Sequence, residues 1–196
     1  EALLSGLYMD FDNGYDAWNV NNNDIMHSDK PGRDTQTTWA GSLKVSGPLN
    51  DSLDLVSITS AADSDIYFSY DGDWGNDDFW QQYGDYIYDY QYLNPRQRNS
   101  LTQELRLVSS PAARWFNDST DWVLGAYWQK LGEDNEISST GIYDDSGAEG
   151  WCPPCLTDRQ ISSEYDARTL AFFASLDSEL SDQAGLSFGL RYEHWE

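Results

Sequence analysis

Alternation of apolar and polar positions organises the chain, most clearly over residues 101–131. In the first half of this stretch three leucines fall on one face of an extended chain and three polar residues on the other: Leu101, Leu105 and Leu107 against Thr102, Glu104 and Arg106. In the second half, one face carries Trp122, Leu124, Ala126 and Trp128. Because successive side chains of a strand point to opposite faces, this period of two predicts two strands joined by a turn.

The same alternation predicts five further strands, at residues 1–12, 35–47, 52–71, 164–177 and 184–193. Within 52–71 the apolar phase shifts from Leu53 and Leu55 to Val56 and Ile58, which predicts a bend or bulge. Residues 184–193 alternate without exception. The sequence therefore predicts an all-β chain of about seven antiparallel strands.

The connections between the predicted strands alternate in length. Long loops rich in Asn, Asp and Gly are predicted at 13–34, 72–98 and 132–163, and short connections at 47–51, 110–121 and 178–183. Outer-membrane barrels have short periplasmic turns and longer extracellular loops, with apolar side chains towards lipid and polar ones towards the lumen. A soluble Greek-key sandwich has no reason to sort its loops in this way. The pattern predicts a segment of an antiparallel transmembrane β-barrel with long extracellular loops.

The amino-acid composition limits the classes of partner that the chain is expected to bind. Acidic residues outnumber basic ones 34 to 11, a net charge of −23, which argues against nucleic acid and against charge-driven docking on an anionic membrane. Cations, neutral sugars and positively charged complexes stay open, as does a solvated acidic surface without a partner. Aromatic residues make up 15% of the chain and nine are Trp, which suits interfacial girdles or a sugar-binding surface. The sequence contains no apolar run of about 18 residues, so it predicts no membrane-spanning helix. No signal peptide is expected before the first strand.

Three segments resemble a known family: QELRL at 103–107, WVLGAYWQK at 122–130 and GLRYE at 189–193. They are similar to barrel strands of TonB-dependent outer-membrane receptors, and the resemblance covers nearly the whole chain. It implies a transporter in the outer membrane of a Gram-negative bacterium that takes up a scarce ligand such as a ferric siderophore. Such receptors have barrels of about 22 strands around a plug domain. This chain contains no plug, so residues 1–196 would be part of the barrel domain, and the TonB complex would act through the missing plug region.

A barrel assigns roles to the alternating charged and aromatic residues. Five charged residues would face the lumen and pair across strands or meet a plug: Lys44, Glu104, Arg106, Arg191 and Glu193. Five aromatic residues would form interfacial girdles: Trp39, Trp122, Trp128, Tyr192 and Trp195.

Candidate ligand-binding residues lie in the second long loop. Four tyrosines recur at every second position, and two tryptophans and a tyrosine precede them: Tyr86, Tyr88, Tyr90 and Tyr92 with Trp74, Trp80 and Tyr83. Aromatic faces with phenolic hydroxyls suit a sugar or an aromatic chelate. An equal alternative is that these rings bind no ligand and only pack against each other to hold the loop.

Two cysteines form the sharpest local motif. Cys152 and Cys155, in WCPPC, match the redox pattern of thioredoxin-like proteins, which needs a preceding strand and a following helix. The flanking residues predict neither, so a disulfide clip in an extracellular loop is preferred. Zinc would lack half of its ligands.

The acidic stretch DGDWGNDD offers weak calcium candidates, Asp71, Asp73 and Asp77, although its spacing does not match an EF-hand. A solvated loop tip is the alternative. No catalytic set is present, since His27 and His194 lie far apart in the sequence, and no cofactor is expected. Two rival functions remain: a soluble calcium- or carbohydrate-binding β-sandwich and a thioredoxin-like oxidoreductase.

Overall fold

The chain is all-β. The computed structural model describes residues 1–84, 86–144 and 155–196, the side chains at 144 and 155–157 excepted. Its strands are β1 (Ala2–Asp12), β2 (Arg33–Asn50), β3 (Leu53–Asp71), β4 (Ile87–Ser109), β5 (Thr120–Asp144), β6 (Cys155–Ser181) and β7 (Ala184–Trp195). Three short turns of helix complete it: α1 (Asp77–Trp80), a 3-10 turn (Pro111–Ala113) and α2 (Trp115–Asp118). The prediction of an all-β chain with seven strands is confirmed.

The seven strands form one sheet in the order of the sequence, from β1 to β7. Every neighbouring pair is antiparallel, so the sheet is a continuous meander. Strands β1 and β7 are its two edges. The described residues contain this one sheet, and none of the described helices is long and apolar enough to span a membrane.

The strands run much further than the alternation predicted. The loops predicted at 72–98 and 132–163 are wrong in extent, because β4 starts at Ile87, β5 continues to Asp144 and β6 starts at Cys155. The extensions of β5 and β6 are mainly polar on both faces, so they lack the period of two that identifies a half-buried strand. In the extension of β4 the tyrosines do alternate, but the acids and turn-forming residues around them favoured a loop. The backbone groups of the extensions are nevertheless paired with those of the neighbouring strand, which satisfies the N–H and C=O groups.

The bulge predicted within 52–71 is also misplaced. Strand β3 keeps a regular register with β4 from Leu53 to Asp71 and with β2 from Asp54 to Ser69. The irregularity lies in β2 between Pro48 and Asn50, where proline has no N–H for the ladder. The shift in apolar phase has another cause: Leu55 pairs with Leu107 on one face, and Val56 pairs with Arg106 on the other.

The register sorts the side chains onto two distinct faces, because directly paired residues share a face. We call one the apolar face; its large side chains include Trp39, Leu43, Leu105, Leu124, Phe172 and Leu190. The other, the charged face, carries all five predicted lumen charges: Lys44, Glu104, Arg106, Arg191 and Glu193. Strand β1 is the exception, since Leu3 and Leu7 pair with Lys44 and Ala40 and so lie on the charged face.

Side chains of the charged face are more buried than their neighbours on the apolar face at several positions. In β2, Thr38 is buried and Lys44 is half-buried, whereas Trp39 and Leu43 on the apolar face are exposed. Strand β6 repeats this difference: Ala171 is buried and its neighbour Phe172 is 55% exposed.

Little of the apolar content is buried within the described residues. Only three hydrophobic side chains are buried, those of Phe79, Trp122 and Ala171. Trp122 apart, the leucines and aromatic residues of the apolar face are half-buried or exposed, with Leu190 at 67% and Tyr192 at 68%. The sheet therefore presents a wide apolar surface that the described residues leave uncovered.

Candidate functional site

The apolar face has a limited height. Its large side chains occupy residues 39–49, 53–61, 101–107, 122–128, 170–176 and 186–192, next to the short connections. These segments are 7 to 11 residues long, and a tilted strand needs about 9–11 residues to cross a membrane. Beyond this band the strands continue towards the long connections, and the same face becomes polar, with side chains such as Asp65 and Asp134.

Aromatic residues border this band at both ends. On the side of the long connections, the rings of Tyr8 and Trp39 are 4.4 Å apart. On the other side, Trp115 stacks on Trp122 at 5.3 Å, and the Trp122 indole donates to the Ala113 carbonyl. Of the predicted girdle residues, Trp39, Trp122, Trp128 and Tyr192 lie on the apolar face. Trp195 pairs with Thr169 and lies on the charged face, so this assignment is wrong.

The charged face carries ion pairs within the band. Arg106 binds Glu104 on its own strand, and the Arg191 guanidinium is 2.7 Å from the Glu193 carboxylate. The Arg191 guanidinium also lies over the ring of Tyr127, 5.3 Å from its centroid. Each of these arginines has an acidic partner two residues away in its own strand, so the charges of this face largely compensate one another.

Two segments pack together at the end of the sheet with the long connections; we call the described residues of 13–32 and 72–86 the cap. The Asp29 N–H donates to the Gly75 carbonyl at 3.2 Å, and the Asn76 amide donates to the His27 carbonyl at 2.9 Å. The His27 ring stacks on Phe79, with 4.4 Å between centroids. Phe79 is 3% exposed, so the cap contains a small hydrophobic core of its own.

Two buried carboxylates shape the second segment of the cap. Asp71 accepts from the Asp73 N–H at 3.3 Å, and Asp73 accepts from the Gly75 and Tyr90 N–H groups at 3.0 and 3.1 Å. Asp73 also accepts from the Trp80 indole N–H at 3.1 Å. Burial, and next the charge of Asp73, raises the pKa of Asp71 to about 6.

The calcium candidates are engaged in this local structure. Asp71 and Asp73 hold backbone turns, and Asp77 is in the first turn of α1, which Asn76 caps. Across the part of the chain that the structure describes, no three His, Cys, Asp or Glu side chains are grouped to hold a metal ion. The predicted disulfide cannot be followed, because Cys152 and the side chain of Cys155 lie outside the described residues.

The tyrosine series lines the charged face beneath the cap. Tyr88, Tyr90 and Tyr92 alternate along β4 and pair with Tyr143, Gly141 and Ser139. Tyr88 stacks on Tyr143 at 4.8 Å, and Tyr92 stacks on Tyr70 at 4.8 Å. Burial raises the pKa values of Tyr70 and Tyr90, with the neighbouring Tyr92 and Asp73, respectively, as the next causes. The spacing argument therefore placed these three rings on one face correctly.

Trp74 lies between two clefts, which we call the Trp74 clefts. The first, of about 380 Å³, is lined by Asn13, Tyr15, Asp16, Asp34, Phe68, Tyr70 and Trp74. The second, of about 270 Å³, is lined by Trp18, Val20, Gly72, Asp73, Trp74, Trp80, Tyr88, Tyr90 and Tyr143. The Trp74 indole donates to Asp16 at 3.0 Å and lies 4.5 Å from Trp18.

The clefts unite four of the predicted ligand residues: Trp74, Trp80, Tyr88 and Tyr90. The other three predicted residues contact residues that line the clefts or the cap: Tyr92 stacks on Tyr70, Tyr86 stacks on Tyr88, and Tyr83 contacts Phe79 and Trp80. Sequence reasoning missed Trp18, Tyr70 and Tyr143. The alternation of Phe68 and Tyr70 at the end of β3 was a usable signal for one of them, whereas Trp18 sits in an irregular loop without periodicity.

A larger cavity, of about 780 Å³, lies elsewhere. It lies on the apolar-face side of the sheet, above the band, and its lining includes Asp65, Tyr67, Asp134, Glu136 and Glu164. Polar and acidic side chains dominate this groove and Tyr67 is its one aromatic ring. The Trp74 clefts, with several convergent rings and hydrogen-bonding groups, are the better candidate ligand site.

Comparison with known proteins gives no further guide. Protein-family models do not match this chain, and no curated protein is significantly similar to it.

Proposed function

We propose that the chain is part of the barrel of a TonB-dependent outer-membrane receptor, with the apolar face towards lipid and the charged face towards the lumen. The cap would then lie at the extracellular mouth, where the Trp74 clefts receive the ligand. A plug region and the TonB complex would supply the remaining steps of uptake.

One observation carries the proposal: a single meander sheet segregates its side chains by face and leaves the apolar face exposed. Fully burying a Leu or Phe side chain is worth about 1.5–3 kcal/mol. Exposed side chains such as Leu105, Leu124 and Phe172 lie near one another on the neighbouring strands β4, β5 and β6, so a cover for this face is strongly favoured. Lipid is the cover that also explains the band's height and its aromatic borders.

The position of the charges supports lipid over a second protein layer. A β-sandwich covers one face of each sheet with the other sheet and wets the outer face. Here the charged face holds Arg106 and Arg191 with their acidic partners, and the opposite face holds the leucines. The burial of Thr38 and Ala171 beside the exposed Trp39 and Phe172 favours a sheet that curves towards its charged face. A barrel in a membrane requires this direction of curvature, whereas a sandwich would need its second sheet on the outer curve.

The open edges support a larger barrel. Strands β1 and β7 each leave one row of backbone groups without a strand partner in this sheet. Unpaired backbone groups in lipid cost several kcal/mol each, so membrane sheets close on themselves. Further strands of the same polypeptide would complete the barrel and provide the space for a plug.

Fractionation of cells that produce the native polypeptide tests this function. We expect the polypeptide in the detergent-extracted outer membrane, with an intact mass several times 22.3 kDa. Uptake of its ligand should stop when TonB is deleted. A 22.3 kDa polypeptide in the soluble fraction would contradict the proposal and favour a soluble binding module.

A further inference from the structure

We propose that the Trp74 clefts bind a neutral oligosaccharide, so that the receptor takes up a glycan fragment rather than a charged iron complex. This inference rests on the proposed function and specifies the ligand class at that same site. It is carried by one juxtaposition: aromatic walls on both sides of the Trp74 indole, carboxylate and amide groups at the rim, and no basic side chain in either lining.

The walls suit the apolar face of a sugar ring. Tyr70 and Trp74 are nearly parallel, with 18° between their planes and 5.9 Å between centroids, and Trp18 lies 4.5 Å from Trp74 on a tilt of 58°. Tyr70 and Trp18 contact Trp74 directly, so no sugar ring fits between them and the indole, and the open ring faces are those of Tyr15 and Trp18, which are 56% and 52% exposed. The C–H groups of a pyranose pack flat against such exposed rings, and the phenolic and indole polar atoms remain at the edges. Because Trp74 lines both clefts, a linear ligand that spans them would place one sugar ring in each.

The rim offers acceptors for hydroxyl groups. Asp16 accepts from the Trp74 indole N–H at 3.0 Å through one oxygen and from the Trp18 N–H at 3.1 Å through the other. Asp34 accepts from the Asn13 amide at 3.1 Å. A carboxylate oxygen has two acceptor positions, so each of these groups keeps capacity for a ligand hydroxyl.

The charge of the clefts excludes anions. Asp16, Asp34 and Asp73 line them, whereas the two basic residues nearest in the sequence are engaged elsewhere. Lys30 pairs with Asp89, and the Arg33 guanidinium lies 6.0 Å from the ring centroid of Tyr67, which is on the apolar face. An anionic ferric chelate would meet carboxylates without a compensating cation.

The same geometry disfavours a cation. N–H donors already reach both carboxylate oxygens of Asp16 and both of Asp73. These bonds satisfy part of each negative charge and leave acceptor positions that a neutral hydroxyl donor fills without desolvating a second charge. A neutral polyhydroxylated ring therefore fits the clefts best.

Trp74 is held in place before a ligand arrives. Its φ is +53°, in the left-handed region that residues other than glycine rarely adopt. The turns made by Asp71 and Asp73 and the bond to Asp16 impose this conformation. Such backbone strain concentrates at ligand sites, where a fixed ring loses little freedom on binding.

The test measures binding to the native polypeptide that contains this chain, purified in detergent. The probes are six neutral hexasaccharides, of α-glucan, cellulose, laminarin, xylan, mannan and chitin, followed by intrinsic tryptophan fluorescence and calorimetry. We expect saturable binding of at least one, independent of salt between about 50 and 500 mM because no ion pair forms. Trp74→Ala should weaken it about tenfold or more, and Trp74→Phe much less.

Two further variants guard against a misfolded cap. Tyr15 lines the first cleft and is 56% exposed, so Tyr15→Ala should weaken binding several-fold without disturbing the fold. Phe116 is exposed and has a φ of +52°, like Trp74, but lies in α2 at the other end of the sheet. Phe116→Ala should leave affinity unchanged, which separates loss of a cleft wall from loss of a strained aromatic residue.

The outcomes separate this inference from the proposed function. Binding of none of the six sugars, or equal affinity of Trp74→Ala, Tyr15→Ala and the native polypeptide, would overturn the saccharide inference. The saccharide inference would also be overturned if a ferric chelate or an organic cation bound in a salt-sensitive way and this binding depended on Trp74. The receptor proposal would then stand. A polypeptide that is found in the soluble fraction and binds a sugar would instead overturn the receptor proposal alone.

Discussion

Asp71 is the last residue of β3 and Asp73 follows in the cap, yet both carboxylates are buried. Asp71 is 1% exposed and Asp73 is 4% exposed. A buried carboxylate without a cation is tolerated only where N–H groups donate to it or where it takes up a proton. Asp73 has three such donors, and Asp71 has one, so Asp71 is the member of the pair that holds a proton more readily.

This difference predicts a cap that tightens in mild acid. The pKa of Asp71 rises from 3.8 to about 6, so the folded cap binds the proton more tightly than an open one. The stabilisation is complete below about pH 4 and is lost as the pH rises through about 6. We expect the protection of the Tyr90 amide against hydrogen exchange, corrected for intrinsic rates, to fall between pH 5 and pH 7.5.

Asp71→Asn supplies the matched variant, since asparagine keeps the acceptor for the Asp73 N–H. It should remove the pH dependence and increase protection at pH 7.5 by about 1–3 kcal/mol, because one pKa unit corresponds to about 1.4 kcal/mol. Asp78→Asn, at an exposed position of α1, should change nothing. Protection that rises with pH, or the same pH profile in Asp71→Asn, would contradict this account of the cap.

At the same scale, sequence reasoning located some site residues and not others. Tyr88, Tyr90 and Tyr92 could be placed on one face because a strand imposes a period of two. Trp18 reaches Trp74 through an irregular loop, and Tyr143 reaches Tyr88 across a strand pair that begins far away in the sequence. Neither contact leaves a local pattern, so the composition of the clefts required the tertiary structure.

At the scale of elements, the cap segment 13–32 rejoins the sheet through a tight approach at Gly32. Gly32 has a φ of +83°, and a Cβ there would lie 2.1 Å from the Ser69 carbonyl oxygen. Gly14, at the other end of the segment, has a φ of +85° and nothing within 4 Å. The two glycines therefore share a backbone conformation and differ in their surroundings.

This pair gives a prediction for the cap. Gly14→Ala should cost about 1–2 kcal/mol for the left-handed backbone alone. Gly32→Ala should cost about 1–3 kcal/mol more, because β3 must move to admit the methyl group. Limited proteolysis of residues 13–32 in the folded protein measures the difference. Equal cleavage rates of the two variants would show that the approach to Ser69 does not hold the segment.

The strands themselves were predictable where one face is apolar and not where both are polar. Residues 122–128 alternate and were placed correctly, as was the last strand. Residues 132–144 continue the same strand with charged and small polar side chains on both faces, so no hydrophobic signal marks them. Their pairing depends on the neighbouring strand, a non-local cause that the sequence of the segment alone does not express.

At the scale of the whole molecule, the proposed barrel would place the apolar face against lipid and the charged face against water. The apolar face is bounded by Tyr8 and Trp39 at one end and by Trp115 and Trp122 at the other. The charged face carries the ion pairs and leads to the Trp74 clefts. This arrangement connects the alternation of residues to the proposed path of a ligand, from the mouth towards the lumen.

The assignment of the two faces is the central claim, and site-directed spin labelling tests it directly. Single cysteines at Val123, Leu124, Ala126 and Tyr127 are labelled in a Cys152→Ser, Cys155→Ser background of the native polypeptide, reconstituted in liposomes. Labels at 124 and 126 should collide mainly with oxygen, which concentrates in lipid, and labels at 123 and 127 mainly with a water-soluble nickel complex. Equal access of the nickel complex to all four labels would contradict a lipid-facing sheet.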